Sequence, residues 1–224
     1  MSSARLLATR VPRNPEAVAL VLHGGATRQD SPMVSPAQLS VLRMVPIARR
    51  LARAGRGRLA VFRVLNSSRG WDTAHTPLDD VRWALGTVAD RLGDELPTAL
   101  VGHSLGGRAA LLAGAESSVR SVVALNPWVY PSDRVDLSGR RVLVVHGTDD
   151  RIADPDRSLA VARALCSTAD SLGYLRVDGA KHAMLRRGRV FERAAADFCT
   201  ATLLGRSVGG AVGELLGGES VVTT

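Results

Sequence analysis

The 224-residue sequence predicts an α/β protein: a doubly wound, mostly parallel sheet with helices on both faces. Two observations carry this expectation. Short continuous apolar runs, the mark of strands buried on both faces, alternate along the chain with segments of helical periodicity. The residues with catalytic potential follow directly on those runs, at the carboxyl edge where open α/β sheets bind ligands.

Taken in order, residues 1–16 form a leader that either adds an edge strand or stays loosely ordered. Ala17–Leu22 is a buried strand that runs into His23-Gly24-Gly25-Ala26. Residues 27–43 read as a polar loop with Pro32 and Pro36, long enough to rim a pocket. Pro46 suits the first turn of a helix that continues through Ile47, Leu51 and Ala52 and stops at Gly55. Leu59–Leu65 is the next strand and ends in the loop Asn66-Ser-Ser-Arg69-Gly70-Trp71-Asp72. A helix is expected over about 78–92, and Pro97 breaks the chain before the strand that begins at Thr98.

That strand leads into Gly102-His103-Ser104-Leu105-Gly106-Gly107, and Arg108-Ala-Ala-Leu-Leu then reads as a helix. G-x-S-x-G between a strand and a helix describes a nucleophile elbow, a strained turn that lifts the serine hydroxyl above the sheet. Gly102 and Gly106 fit because a Cβ at either place would push strand and helix apart. Val119–Leu125 is a further buried strand, ending in Asn126-Pro127-Trp128. A short polar connection leads to the strand at 141–145, which ends in His146-Gly147-Thr148-Asp149-Asp150. Asp149 and Asp154, ahead of Pro155, also suit turn or helix-capping roles. A helix over about 156–169, a strand around 174–177 with Asp178-Gly-Ala-Lys181-His182 after it, and a helix over about 190–204 complete the alternation. Residues 205–224, glycine-rich and with little periodicity, are expected to be a mobile tail.

With its elbow at Gly102–Gly106, the chain resembles the α/β-hydrolase family, whose catalytic residues occur in the order Ser, Asp or Glu, His. The resemblance spans about 17–204 and implies one α/β-hydrolase domain over 1–204 with no cap domain, since residues 131–140 leave no room for one. It implies Ser104 as nucleophile, Asp150 as acid with Asp149 as the alternative, and His182 as base. The strand ending in His-Gly-Gly resembles the family's oxyanion loop, which implies backbone N–H donors at Leu105 and Gly25, with Ala26 as the alternative to Gly25. His23 is expected to brace that loop. Trp71 and Trp128 either line the substrate pocket or plug the core. Arg69 either meets a substrate carboxylate or braces its loop.

The chain looks closest to small, lid-less serine hydrolases of the carboxylesterase and dienelactone-hydrolase-like kind. Typical dienelactone hydrolases carry a cysteine at the elbow, so Ser104 argues against carrying over that substrate. The implied activity is hydrolysis of a small-molecule acyl ester through an acyl-enzyme, with no metal or organic cofactor. A thioesterase, acyltransferase or peptidase would use the same residues, and a non-catalytic binding protein would use only the fold.

Composition bounds the alternatives. The chain is 46% hydrophobic, and 29 basic against 21 acidic residues give a net charge of +8. The arginines are scattered, Lys181 is the only lysine, and aromatic residues are few, which argues against nucleic acid as a partner. Cys166 and Cys199 fall in helix-like segments and read as buried free thiols. The first 17 residues lack the continuous apolar core of a signal peptide, and no stretch is long enough to span a bilayer, so a cytoplasmic protein with no membrane partner is expected.

Overall fold

The computed structural model describes residues 4–25, 34–71, 76–93 and 96–224. Eight strands form one sheet: β1 (Arg5–Arg10), β2 (Ala17–Leu22), β3 (Leu59–Leu65), β4 (Thr98–His103), β5 (Val119–Leu125), β6 (Arg141–Gly147), β7 (Ser171–Val177) and β8 (Val221–Thr223). Their spatial order is β1-β3-β2-β4-β5-β6-β7-β8. Only β1 runs antiparallel to its neighbour, so the leader supplies an edge strand.

Because strand side chains alternate faces, each central strand feeds two cores. Ala17, Ala19 and Val21 of β2 face the layer made by α2 (Met44–Ala54), α6 (Gly188–Leu204) and α7 (Gly210–Leu216). Val18, Leu20 and Leu22 face α3 (Thr76–Leu92), α4 (Leu105–Leu112) and α5 (Pro155–Leu165). With both faces covered, β2 and β4 are buried at every residue.

Several expectations are corrected. Residues 205–224 are not a mobile tail. They form α7 and β8, and β8 pairs with β7 through Tyr174–Val221, Leu175–Val222 and Arg176–Thr223. Val212 and Leu215 of α7 are buried, which supplies the apolar contact that the glycine-rich sequence conceals. The loop expected at 27–43 contains a one-turn helix, α1 (Leu39–Leu42), and its first part lies outside the described residues, as do Ala26 and Asp72. α5 stops at Leu165, short of residue 169. Its start is as expected: Asp154 caps it by accepting from the N–H groups of Asp156 and Arg157, with Pro155 in the first turn. Cys199 is a buried free thiol, but Cys166, at the C-cap of α5, is exposed. No helix among the described residues is long and apolar enough to cross a membrane.

Candidate active site

Ser104 sits between β4 and α4 at φ 57° and ψ −122°, a backbone conformation that only a strongly constrained non-glycine residue adopts. The constraint is visible on three sides. The Ser104 N–H donates to Leu125 O at 3.0 Å, and the Ser104 carbonyl accepts from Arg108 N and Trp128 N, each at 3.1 Å. A Cβ on Gly102 would overlap the carbonyl of Gly106. A Cβ on Gly106 would come within 2.6 Å of Leu22 O and His23 O, so the second glycine is needed for contact with the end of β2, not with its own strand.

Three chain segments converge on this turn. His182, in the loop after β7, places Nε2 3.0 Å from Ser104 Oγ and Nδ1 2.8 Å from Asp150 Oδ2. A carboxylate only accepts, so Nδ1 carries the proton and Nε2 is free to accept from the serine hydroxyl. Asp150, in the turn after β6, is buried, and its Oδ1 accepts from the N–H groups of Ile152 and Ala153 at 2.8 and 2.9 Å. Asp149 is exposed and is tied to Ala180 O through its backbone, so of the two aspartates Asp150 is the carboxylate brought to His182. Burial opposes ionisation of Asp150. His146, His182 and the Ile152 N–H nevertheless hold its carboxyl well below the usual carboxylate range.

The cavity above Ser104 has a volume of about 290 Å³, and Gly25, Leu105 and Trp128 share its lining with Ser104 and His182. Leu105 opens α4, where its N–H has no intrahelical acceptor. The Gly25 N–H makes no hydrogen bond among the described residues. Both residues share the cavity lining with Ser104.

Of the three pocket residues expected, the cavity takes Trp128 alone. Trp71 belongs to the core beneath α3 and α4, and its ring stacks on the Arg108 guanidinium at 4.3 Å. The Tyr130 ring also contacts that guanidinium, at 4.6 Å, and Asp133 pairs with it through two 2.8 Å hydrogen bonds. Arg69, half-buried beside Gly70, is not among the lining residues. Arg43 lines the cavity instead, from the junction of α1 and α2. His23 ties the loop after β2 to the loop after β3. Its Nδ1 contacts Gly24 O at 2.6 Å, and its Nε2 accepts from Asn66 N at 3.2 Å.

Three positioning residues are not apparent from the sequence. Asn126, at φ 42° and fully buried, accepts from Gly147 N and donates to the carbonyls of Lys181 and His182, fastening the loops of Asp150 and His182 together. His103 Nε2 donates to His182 O at 2.8 Å. Burial, and then the charge His182 can carry, push its pKa down to about 3, so it stays neutral beside the base. His146 Nε2 lies 3.2 Å from both Asp150 Oδ2 and Ala153 O. Both are acceptors, so Nε2 carries the proton and Nδ1 accepts from the Ser158 hydroxyl at 2.7 Å, which itself contacts Tyr174 Oη at 2.7 Å. The only sign in the sequence is the spacing of His146 and Asp150 across one turn.

A family model described as the alpha/beta hydrolase fold matches residues 64–140. No curated protein matches the sequence. Among solved structures, a serine hydrolase without a lid from Xanthomonas campestris aligns with TM-score 0.66 and 20% identity, covering 91% of this chain and 90% of that one. An esterase from Pyrobaculum calidifontis aligns with TM-score 0.65 and 19% identity over 89% and 81%. Est1E from Butyrivibrio proteoclasticus gives 0.61 and 18% over 90% and 94%. The strand order, the matched segment and these likenesses agree, and the chain has the α/β-hydrolase fold.

Proposed function

We propose that the protein is a serine hydrolase that cleaves a small carboxylic ester through an acyl-enzyme. The observation that carries this reading is the hydrogen-bonded chain Ser104–His182–Asp150, held at 3.0 and 2.8 Å beneath an open cavity. A serine hydroxyl is a weak nucleophile at neutral pH and needs an adjacent base. His182 Nε2 takes the hydroxyl proton as Oγ attacks the ester carbonyl, and Asp150 stabilises the imidazolium on the far side. The carbonyl oxygen, now negative, accepts from the N–H groups of Leu105 and Gly25. Each such donor is worth about 3 kcal/mol of barrier. His182 returns the proton to the departing alkoxide as the C–O bond breaks. Water then repeats the sequence on the acyl-enzyme, releasing the acid and restoring Ser104.

The cavity volume is at the low end of ligand pockets, about 300–1,000 Å³, which favours short acyl groups. The test is labelling with a fluorophosphonate probe alongside a panel of aryl esters of graded acyl length. The wild type is expected to label and to turn over the short esters, with both activities absent in Ser104→Ala. Equal reaction of the two proteins refutes the reading. Thioester and peptide substrates in the same panel separate ester hydrolysis from other acyl transfer.

A further inference from the structure

We propose that Arg43 binds an anionic group on the substrate, so that the ester cleaved at Ser104 carries a free carboxylate; this rests on the reading of Ser104 as nucleophile. Arg43 shares the lining of the cavity with Ser104, His182 and Trp128. No Asp or Glu is among the described lining residues, so Arg43 is the one permanent charge in that lining. Elsewhere Arg58, Arg82, Arg108, Arg157 and Arg193 are each paired with a carboxylate. The side chain of Arg43 makes no ion pair or hydrogen bond to any described residue, and its Nε is buried without a partner.

A second observation points the same way. Trp128 also lines the cavity, and its indole Nε1, a donor only, is likewise buried with no acceptor among the described residues. Buried donors that go unused are costly, and native proteins keep few of them. A guanidinium and an indole N–H in the lining of one cavity, both lacking an acceptor among the described residues, complement an acceptor-only group with negative charge. A carboxylate matches the planar guanidinium fork, and Arg is suited to it in a way a point charge is not. Burial lowers the pKa of Arg43 with no acidic neighbour to offset it, and the group remains a full cation. The net charge of +8 would steer an anionic ester toward such a site.

Arg69 was the residue the sequence offered for this task. The structure puts the unpaired arginine of the cavity 26 positions earlier in the chain, at Arg43, in a segment with no motif.

The experiment compares three aryl esters: p-nitrophenyl butyrate, mono-p-nitrophenyl glutarate with its carboxylate on the acyl side, and 5-butyryloxy-2-nitrobenzoate with its carboxylate on the leaving group. For each anionic ester, kcat/KM is divided by that of the neutral one, which cancels any general loss of activity. In Arg43→Gln this ratio is expected to fall at least tenfold for one of the two, mainly through KM, with Arg43→Lys between it and the wild type. The ester that responds identifies the side on which the carboxylate lies. Ratios unchanged within twofold for both esters overturn the proposal. Calorimetric binding of monomethyl glutarate and of 5-butyryloxy-2-nitrobenzoate to Ser104→Ala, against the double variant Ser104→Ala/Arg43→Gln, needs no turnover. A tenfold weakening for either ligand supports the subsite even if ester hydrolysis fails, and equal or absent binding of both ligands in both proteins overturns it even if ester hydrolysis holds.

Discussion

Replacing Ser104 by glycine is expected to give a more stable protein than replacing it by alanine, the reverse of the usual order. Both variants lose the hydroxyl and its contact with His182, so that term cancels in the comparison. What differs is the backbone. At φ 57° and ψ −122° any residue with a Cβ is strained, and such strain costs roughly 1–3 kcal/mol. Glycine relieves it, but its freer unfolded chain costs about 0.4–1 kcal/mol. The balance favours Ser104→Gly by about 1 kcal/mol, which for a chain of this length is a shift of about 2–4 °C in Tm. Urea titrations and thermal melts of both variants measure it directly. Ala160, exposed in α5, is the control, since Ala160→Gly in an ordinary helix is expected to cost about 1 kcal/mol. If Ser104→Gly is no more stable than Ser104→Ala, the elbow is not strained and the account of how the serine is presented is wrong.

Asp150→Asn is expected to reduce kcat by about 10³–10⁴-fold by disfavouring the tautomer that Ser104 needs, while Asp149→Asn stays within about twofold; steady-state rates on an aryl ester decide, and the reverse result moves the acid by one residue. His103 is neutral down to about pH 3, so below 6.5 the unfolded chain takes up a proton that the folded chain refuses; stability is full above 6.5 and is lost progressively toward 3. Urea midpoints at pH 6.5 and 4.5 should reveal a loss of about 2–3 kcal/mol from this group, reduced in His103→Gln, and equal slopes in the two proteins contradict the assignment. Asp133→Ala leaves the Arg108 guanidinium buried and unpaired beside two rings, and is expected to cost about 3 kcal/mol in a denaturant titration, whereas Arg108→Met costs less.

The strands were legible because a continuous apolar run of six or seven residues, bounded by turn residues, suits a strand covered on both faces and little else. Ala17–Leu22, Leu59–Leu65 and Val119–Leu125 coincide with the runs read from the sequence. Ser104, Asp150 and His182 were legible because each follows such a run closely. β8 was not, since a three-residue strand gains its identity only by pairing with β7. α1 is one turn long and shows no period. Arg108–Asp133, 25 residues apart, and His146–Asp150, four apart, are side-chain contacts, and local sequence does not encode which partner a buried charge will find. Arg43 illustrates the same limit, because what distinguishes it is a buried Nε without a described partner together with a place in the cavity lining.

The hydrogen-bonded chain at Ser104 closes contacts of long range. Ser104 and His182 are 78 residues apart, and Asp150 and His182 are 32 apart. Loop closure over such spans costs entropy before any contact offsets it, and pairings of this kind form late. The β6–β7 pair can bring Asp150 to His182 by itself, but the contact with Ser104 waits for that pair to dock beside β4 and β5. Reactivity of Ser104 is therefore a clock for the last step of assembly: during refolding it is expected to lag behind helix content and to rise only as the two halves of the sheet become one.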